Sequence, residues 1–208
     1  MMSEQPQTTA VFFDLGGVLV DLRLDLMRAA WERLSGITST HLDRFLFDLG
    51  HKTAMDTGKS TPDEVVLALN HHFGLRLTLT EFAGFWNQTL IPRGETNRFV
   101  SKVAQQFPTF LLSNTDPVHH AYVTENLSCL SHFRSHVLSY SVGVEKPNAP
   151  IYAAAENRAG LNPESLIFID DLAPNVAAAR SRGWNGLLYT DLPSMIRGLA
   201  DLGVVVHE

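Results

Sequence analysis

The spacing of apolar positions changes character twice along the chain. Val11, Phe12 and Phe13 form an unbroken apolar run, the pattern of a strand buried on both faces, and Asp14, Leu15, Gly16 and Gly17 end it. From about residue 21 to 93 the pattern is helical, with no run that reads as a buried strand. Apolar residues at helical spacing over 25–34 stop at Gly36, and a second helix over 41–49 stops at Gly50. Thr61-Pro62-Asp63-Glu64 has the form of a capping box and opens a helix that runs to Gly74; Thr78 with Glu81 repeats the box for a helix through Leu90. Four such helices in succession predict a small bundle.

Beyond residue 94 strands and helices alternate. Helices are expected at 96–106, 119–127, 149–159 and 174–182, and strands at 109–115, 137–142, 165–171 and 186–190. That alternation predicts an α/β fold with a doubly wound parallel sheet. The expected organisation is a sheet core from 1–20 and 94–208, with the helical insertion 21–93 standing over the first strand as a cap.

Composition narrows the function classes. The chain has 208 residues, 45% hydrophobic and 18% charged, enough for one core plus an insertion of this size. A net charge of −6 and 16 scattered basic residues leave no basic stripe for a nucleic acid backbone. A single cysteine, Cys129, excludes an internal disulfide, and no apolar run approaches the ~20 residues that span a bilayer. Residues 1–7 lack the basic start and apolar core of a secretory signal, so the reducing cytoplasm is the expected compartment.

The expected strands carry Asp14, then Ser113 and Asn114, then Asp170 and Asp171 at their carboxyl ends, with Lys146 in the loop after another. In an open parallel sheet those ends share one edge, where ligands bind. Three carboxylates in one place repel each other unless a divalent cation joins them, and hard oxygen donors favour Mg²⁺. A lysine and a hydroxyl aimed at the same point suit phosphoryl oxygens, which leaves one carboxylate free to attack phosphorus.

In order and spacing these residues resemble the haloacid dehalogenase superfamily, over nearly the whole chain. Phe13-Asp14-Leu15-Gly16-Gly17-Val18-Leu19 is similar to its first motif, Leu111-Leu112-Ser113-Asn114-Thr115 to the second, Glu145-Lys146-Pro147 to the third and Phe168-Ile169-Asp170-Asp171-Leu172-Ala173-Pro174-Asn175 to the acidic fourth. The resemblance implies Asp14 as nucleophile, Ser113 as binder of the transferring phosphoryl group, and Lys146 as the cation that neutralises both. It also implies Mg²⁺ at Asp14, the Gly16 carbonyl and Asp170 or Asp171. Asn114 joins Ser113 and Lys146 around the phosphoryl oxygens. The implied activity is Mg²⁺-dependent hydrolysis of small phosphorylated metabolites, sugar phosphates among them, through an aspartyl-phosphate.

One position departs from the phosphatase pattern. Most such enzymes carry a general-acid aspartate two residues after the nucleophile, and here that position is Gly16, which has no proton to donate. General acid catalysis is worth roughly 10²–10⁴-fold, so substrates with good leaving groups are expected, such as anomeric sugar phosphates or aryl phosphates. The Asp-Leu-Gly-Gly-Val form resembles a subgroup of sugar-1-phosphate phosphatases and relatives of the phosphatase domain of soluble epoxide hydrolase. The alternatives are a fold that now only binds a ligand or partner, and a dehalogenase, against which the double aspartate argues. A receiver domain uses similar parts but takes its acidic pair from the first strand.

Other residues have plain expectations. His71-His72 and His119-His120 are expected at helix ends or on the surface, and Asn175 as a helix cap or a residue orienting a metal ligand. Arg23 and Arg44 are expected on a solvated face. Trp31, Phe45, Phe47, Phe82, Phe85 and Trp86 are expected in the bundle core, with one or two facing the pocket.

Overall fold

The computed structural model describes residues 9–207; the expectation about residues 1–7 falls outside them. The central strand, β1 (Ala10–Phe13), is fully buried. Its alternate side chains enter two cores. Val11 and Phe13 join one apolar cluster, whereas Ala10 and Phe12 join another on the opposite face. Two covered faces are the reason the run is apolar at every position rather than at every second one.

The chain then forms a short strand β2 (Val20–Leu22) and enters the helical insertion. Here lie α1 (Leu24–Ser35), α2 (Ser39–Asp43) leading into a π-helical turn at Arg44–Asp48, and α3 (His51–Asp56). They are followed by α4 (Pro62–Phe73) and α5 (Leu79–Trp86), and both capping boxes form as expected at Thr61/Glu64 and Thr78/Glu81. One cluster, including Trp31, Phe45, Phe82, Phe85 and Trp86, is drawn entirely from residues 27–86. The chain leaves through β3 (Leu90–Pro92), which pairs antiparallel with β2, and Arg93 bonds Asp21 across the same joint at 2.6 Å.

One expectation for this segment is corrected. The helix expected through Leu90 ends at Trp86, followed by a 3₁₀ turn at Asn87–Thr89, because Leu90–Pro92 is committed to the ribbon. A three-residue strand is too short to carry a readable alternation. The second helix ends before Gly50 as expected; Gly50, with a φ of 80°, opens α3, a short helix beyond the four expected.

The remainder alternates as expected: α6 (Gly94–Gln106), β4 (Thr109–Ser113), α7 (Pro117–Asn126), β5 (Ser135–Leu138) and α8 (Ser139–Val142), then α9 (Ala149–Ala159), β6 (Leu166–Asp170), α10 (Ala173–Ser181), β7 (Asn185–Leu188) and α11 (Leu192–Asp201). The strand expected over 137–142 stops at Leu138. Ser139 there bonds the amide and carbonyl of Thr115 through its hydroxyl and turns the chain away from the sheet. The last helix was not anticipated; Asp191 caps it by accepting from the Ser194 amide. The five-stranded sheet is parallel in the order β5-β4-β1-β6-β7. Its order reverses at β1, so the crevice falls beyond the carboxyl ends of β1, β4 and β6. Among the described residues no helix is long and apolar enough to cross a membrane.

Candidate active site

Asp14 leaves the end of β1 and Asp170 ends β6, its neighbour in the sheet. Lys146, from the loop before α9, is buried between them, with Nζ 2.8 Å from Asp14 Oδ1 and 2.7 Å from Asp170 Oδ2. The Leu15 amide donates to the same Asp14 oxygen at 2.7 Å, which leaves Oδ2 free of these two contacts. Ser113 is buried at the end of β4, on the other side of β1. Asn114 beside it spends both ends of its amide on Lys146: Nδ2 donates to the Lys146 carbonyl and Oδ1 accepts from its amide. Its side-chain amide is therefore committed to holding the lysine's backbone in place.

The two adjacent aspartates differ in kind. Asp170 is fully buried, and its oxygens accept from Lys146, the Leu172 amide and Asn175 Nδ2. Asn175 makes no cap at its helix; its amide orients Asp170. Asp171 is exposed at the mouth, against Gly17. A Cβ on Gly17 would fall 2.1 Å from Asp171 Oδ2, and its φ of 73° is a left-handed conformation, so only glycine lets this carboxylate approach.

Asp14, Asp170 and Asp171 each place a carboxylate oxygen within 4.8 Å of the others. Burial pushes the Asp14 carboxyl up to about 7; Lys146 opposes that shift and Asp170 adds to it. Asp171 is raised as well, by its partial desolvation against the site first and by Asp170 second. One ammonium does not balance three carboxylates at this range, so the donor set suits a hard divalent cation.

A cavity of about 240 Å³ opens beside Gly16, Asn114 and Thr115. Phe47 and Trp86 from the insertion line it, the former 40% exposed and hence outside the bundle core. Lys52 and Thr89 line it too, and the sequence carries no spacing signal for either. His119 corrects the expectation of a surface histidine: it is buried, stacked on the Trp86 ring at 4.8 Å, with Nδ1 3.1 Å from Asp116 and Nε2 3.2 Å from the Trp86 carbonyl. Asp116 also accepts from Trp86 Nε1 at 2.9 Å while capping α7. Only the cap was legible, as Asp-Pro before a helix. His71 and His72 are exposed, and Arg23 pairs with Asp25 on the surface, as expected. Among the described residues Arg44 is exposed and makes no side-chain hydrogen bond or ion pair with these groups.

Fold and site together define an α/β protein whose doubly wound parallel sheet gathers a carboxylate cluster at one edge. The chain belongs to the haloacid dehalogenase-like hydrolases, whose family pattern it matches over residues 8–183. Among curated proteins it is 25% identical over 190 residues to the D-ribitol-5-phosphate phosphatase of Bacteroides thetaiotaomicron, covering 84% of this chain and 88% of that one. Among solved structures it is similar to a HAD-like family hydrolase from Porphyromonas gingivalis, with TM-score 0.80, 23% identity and coverage of 94% and 98%. A HAD family enzyme from Bacteroides thetaiotaomicron, crystallised with magnesium and inorganic phosphate, superposes with TM-score 0.79 at 23% identity, covering 88% and 94%.

Proposed function

We propose that this protein is a Mg²⁺-dependent phosphatase of small phosphorylated metabolites, acting through an aspartyl-phosphate on Asp14. The observation that carries the reading is the meeting of Asp14, Lys146, Asp170 and Asp171 at one sheet edge, 170 being far from 14 in sequence. The curated relative named as a phosphatase supports it, as does the related structure with magnesium and phosphate. In this reading residues 21–93 are the cap and 1–20 with 94–208 the catalytic core.

Asp14 Oδ2 attacks phosphorus in line, and the bond to the ester oxygen breaks with its electron pair going to the leaving group. Lys146 holds the other Asp14 oxygen and neutralises charge, while the Ser113 hydroxyl binds a phosphoryl oxygen. Bound Mg²⁺ would share the phosphoryl charge, held by Asp14, the Gly16 carbonyl and Asp171. Asp170, its oxygens already taken, fixes Lys146 instead. Water then cleaves the aspartyl-phosphate, releasing orthophosphate and restoring Asp14. Gly16 favours a second reading, a binding protein without turnover.

One assay addresses both. Phosphate release from p-nitrophenyl phosphate is expected from the wild type with Mg²⁺ and is expected to vanish in Asp14→Asn. Retained release in the variant removes Asp14 from the nucleophile role, and release by the wild type rejects the binding-only reading.

A further inference from the structure

The cavity beside the nucleophile has few polar groups to offer a substrate. Leu22, Leu24, Phe47, Trp86 and Leu90 line it with apolar surface. Asn114 gives its side-chain amide to Lys146, Thr115 exchanges its backbone hydrogen bonds with Ser139, and the His119 ring sits between Asp116 and the Trp86 carbonyl. Two lining side chains are differently placed. Thr89 is 4% exposed, and its hydroxyl has no hydrogen-bond partner among the described residues. Lys52 pairs with Asp56, one turn along its helix, which uses one of its three ammonium donors, and lies 5.9 Å from the Trp86 ring centroid. It is the one lysine or arginine lining this cavity among the described residues.

An unsatisfied buried hydroxyl is costly unless something outside the chain completes it. Lys52 and Thr89 both line this one apolar cavity. We infer that this cavity is the leaving-group subsite, and that it takes a single aromatic ring bearing an oxygen acceptor, of the carboxylate type, which Lys52 and Thr89 bind. The inference rests on the phosphatase reading and specifies its substrate class: an acceptor-bearing aryl phosphate.

Three independent features agree. An apolar cavity of about 150 Å³ holds one benzene, so 240 Å³ suits one substituted ring rather than a fused ring system. The rings of Phe47 and Trp86 offer an aromatic body its preferred neighbours. Gly16 supplies no proton, and a phenolate, with a conjugate acid pKa of about 10, leaves without one far more readily than an alkoxide. Asp14 then forms the new bond to phosphorus, the aryl oxygen departs with the electron pair of the broken bond, and it takes its proton from solvent. A polyol or sugar phosphate would bring several hydroxyls into a space lined mainly by apolar side chains. Desolvating each without a partner costs roughly tenfold or more in affinity.

The test measures kcat/KM with Mg²⁺ for 4-carboxyphenyl phosphate, phenyl phosphate, glucose 1-phosphate and ribitol 5-phosphate. The variants are Lys52→Met, Lys52→Arg and Thr89→Val. The wild type is expected to prefer both aryl esters over both polyhydroxylated ones by at least tenfold, and the carboxylated ring over the plain one. In Lys52→Met the carboxyphenyl-to-phenyl ratio should fall about tenfold through KM, and Lys52→Arg should restore part of it. Thr89→Val should lower the same ratio with no loss of thermal stability, since its hydroxyl has no partner in the protein to lose. The ratio is internal to each variant and so independent of the fraction folded. Equal or better turnover of the polyhydroxylated esters, or a ratio unmoved by Lys52→Met, overturns the subsite and leaves the phosphatase reading standing. Absence of phosphate release from all four esters overturns both.

Discussion

At the scale of single residues, two adjacent glycines hold opposite roles. Gly17 is required by the backbone and by the carboxylate packed on it: an added Cβ would meet Asp171 and would strain a φ of 73°. Gly17→Ala should therefore lower Mg²⁺-dependent activity by a hundredfold or more, roughly 3 kcal/mol of misplaced ligand and strain. Steady-state kinetics and a Mg²⁺ titration would check it. Gly16 has no such constraint. Its backbone is ordinary, and an added Cβ meets only the mobile end of the Leu22 side chain, at 3.1 Å. Gly16→Asp is expected to fold and to raise kcat for alkyl phosphates by roughly 10–10²-fold, part of what a positioned general acid contributes. The gain should be smaller for aryl esters, and a variant with no gain on alkyl esters would mean that position 16 does not face the leaving oxygen.

At the scale of elements, α3 places a charge where the fold tolerates it poorly. Asp56 is buried beside Lys52, and burial lifts its carboxyl from 3.8 to about 6, with Lys52 opposing the shift. Its Oδ1 has no partner among the described residues. The folded protein thus takes up a proton between pH 4 and 6, and below that window the group is neutral in both folded and unfolded states. As pH rises through the window, folding must hold the charge, at a cost approaching about 3 kcal/mol above pH 6. Asp56→Asn removes that titration. The stability of the variant relative to the wild type should rise between pH 4 and pH 7, as urea midpoints at both pH values would show. A constant difference would place the Asp56 pKa near its ordinary value.

At the scale of the whole molecule, three carboxylates around one ammonium leave the folded state short of positive charge. Mg²⁺ should therefore raise the thermal midpoint. At a hundredfold excess over Kd the gain is about 2.7 kcal/mol, or roughly 5–10 °C for a chain of this size, and Asp171→Asn should lose most of it in a scanning calorimeter. Much of this architecture was legible in the sequence. The apolar run of β1, the capping boxes at Thr61 and Thr78 and the alternation after residue 94 are local patterns, and local patterns specify elements. Asp14, Ser113, Lys146 and Asp170 were legible too, because a parallel sheet brings strand ends to one edge whatever the connecting loops do.

The sequence by itself thus determined the α/β order and the acidic, basic and hydroxyl residues that the sheet collects. Only the tertiary structure decided the β2–β3 ribbon, the burial of His119 under Trp86, the different surroundings of Asp170 and Asp171, and the placement of Lys52 and Thr89 on the wall of one cavity. These depend on contacts between segments far apart in the chain, set by how α3 and α5 pack toward the sheet edge. No spacing along the sequence encodes such an approach; it follows from the burial of apolar surface summed over the whole fold.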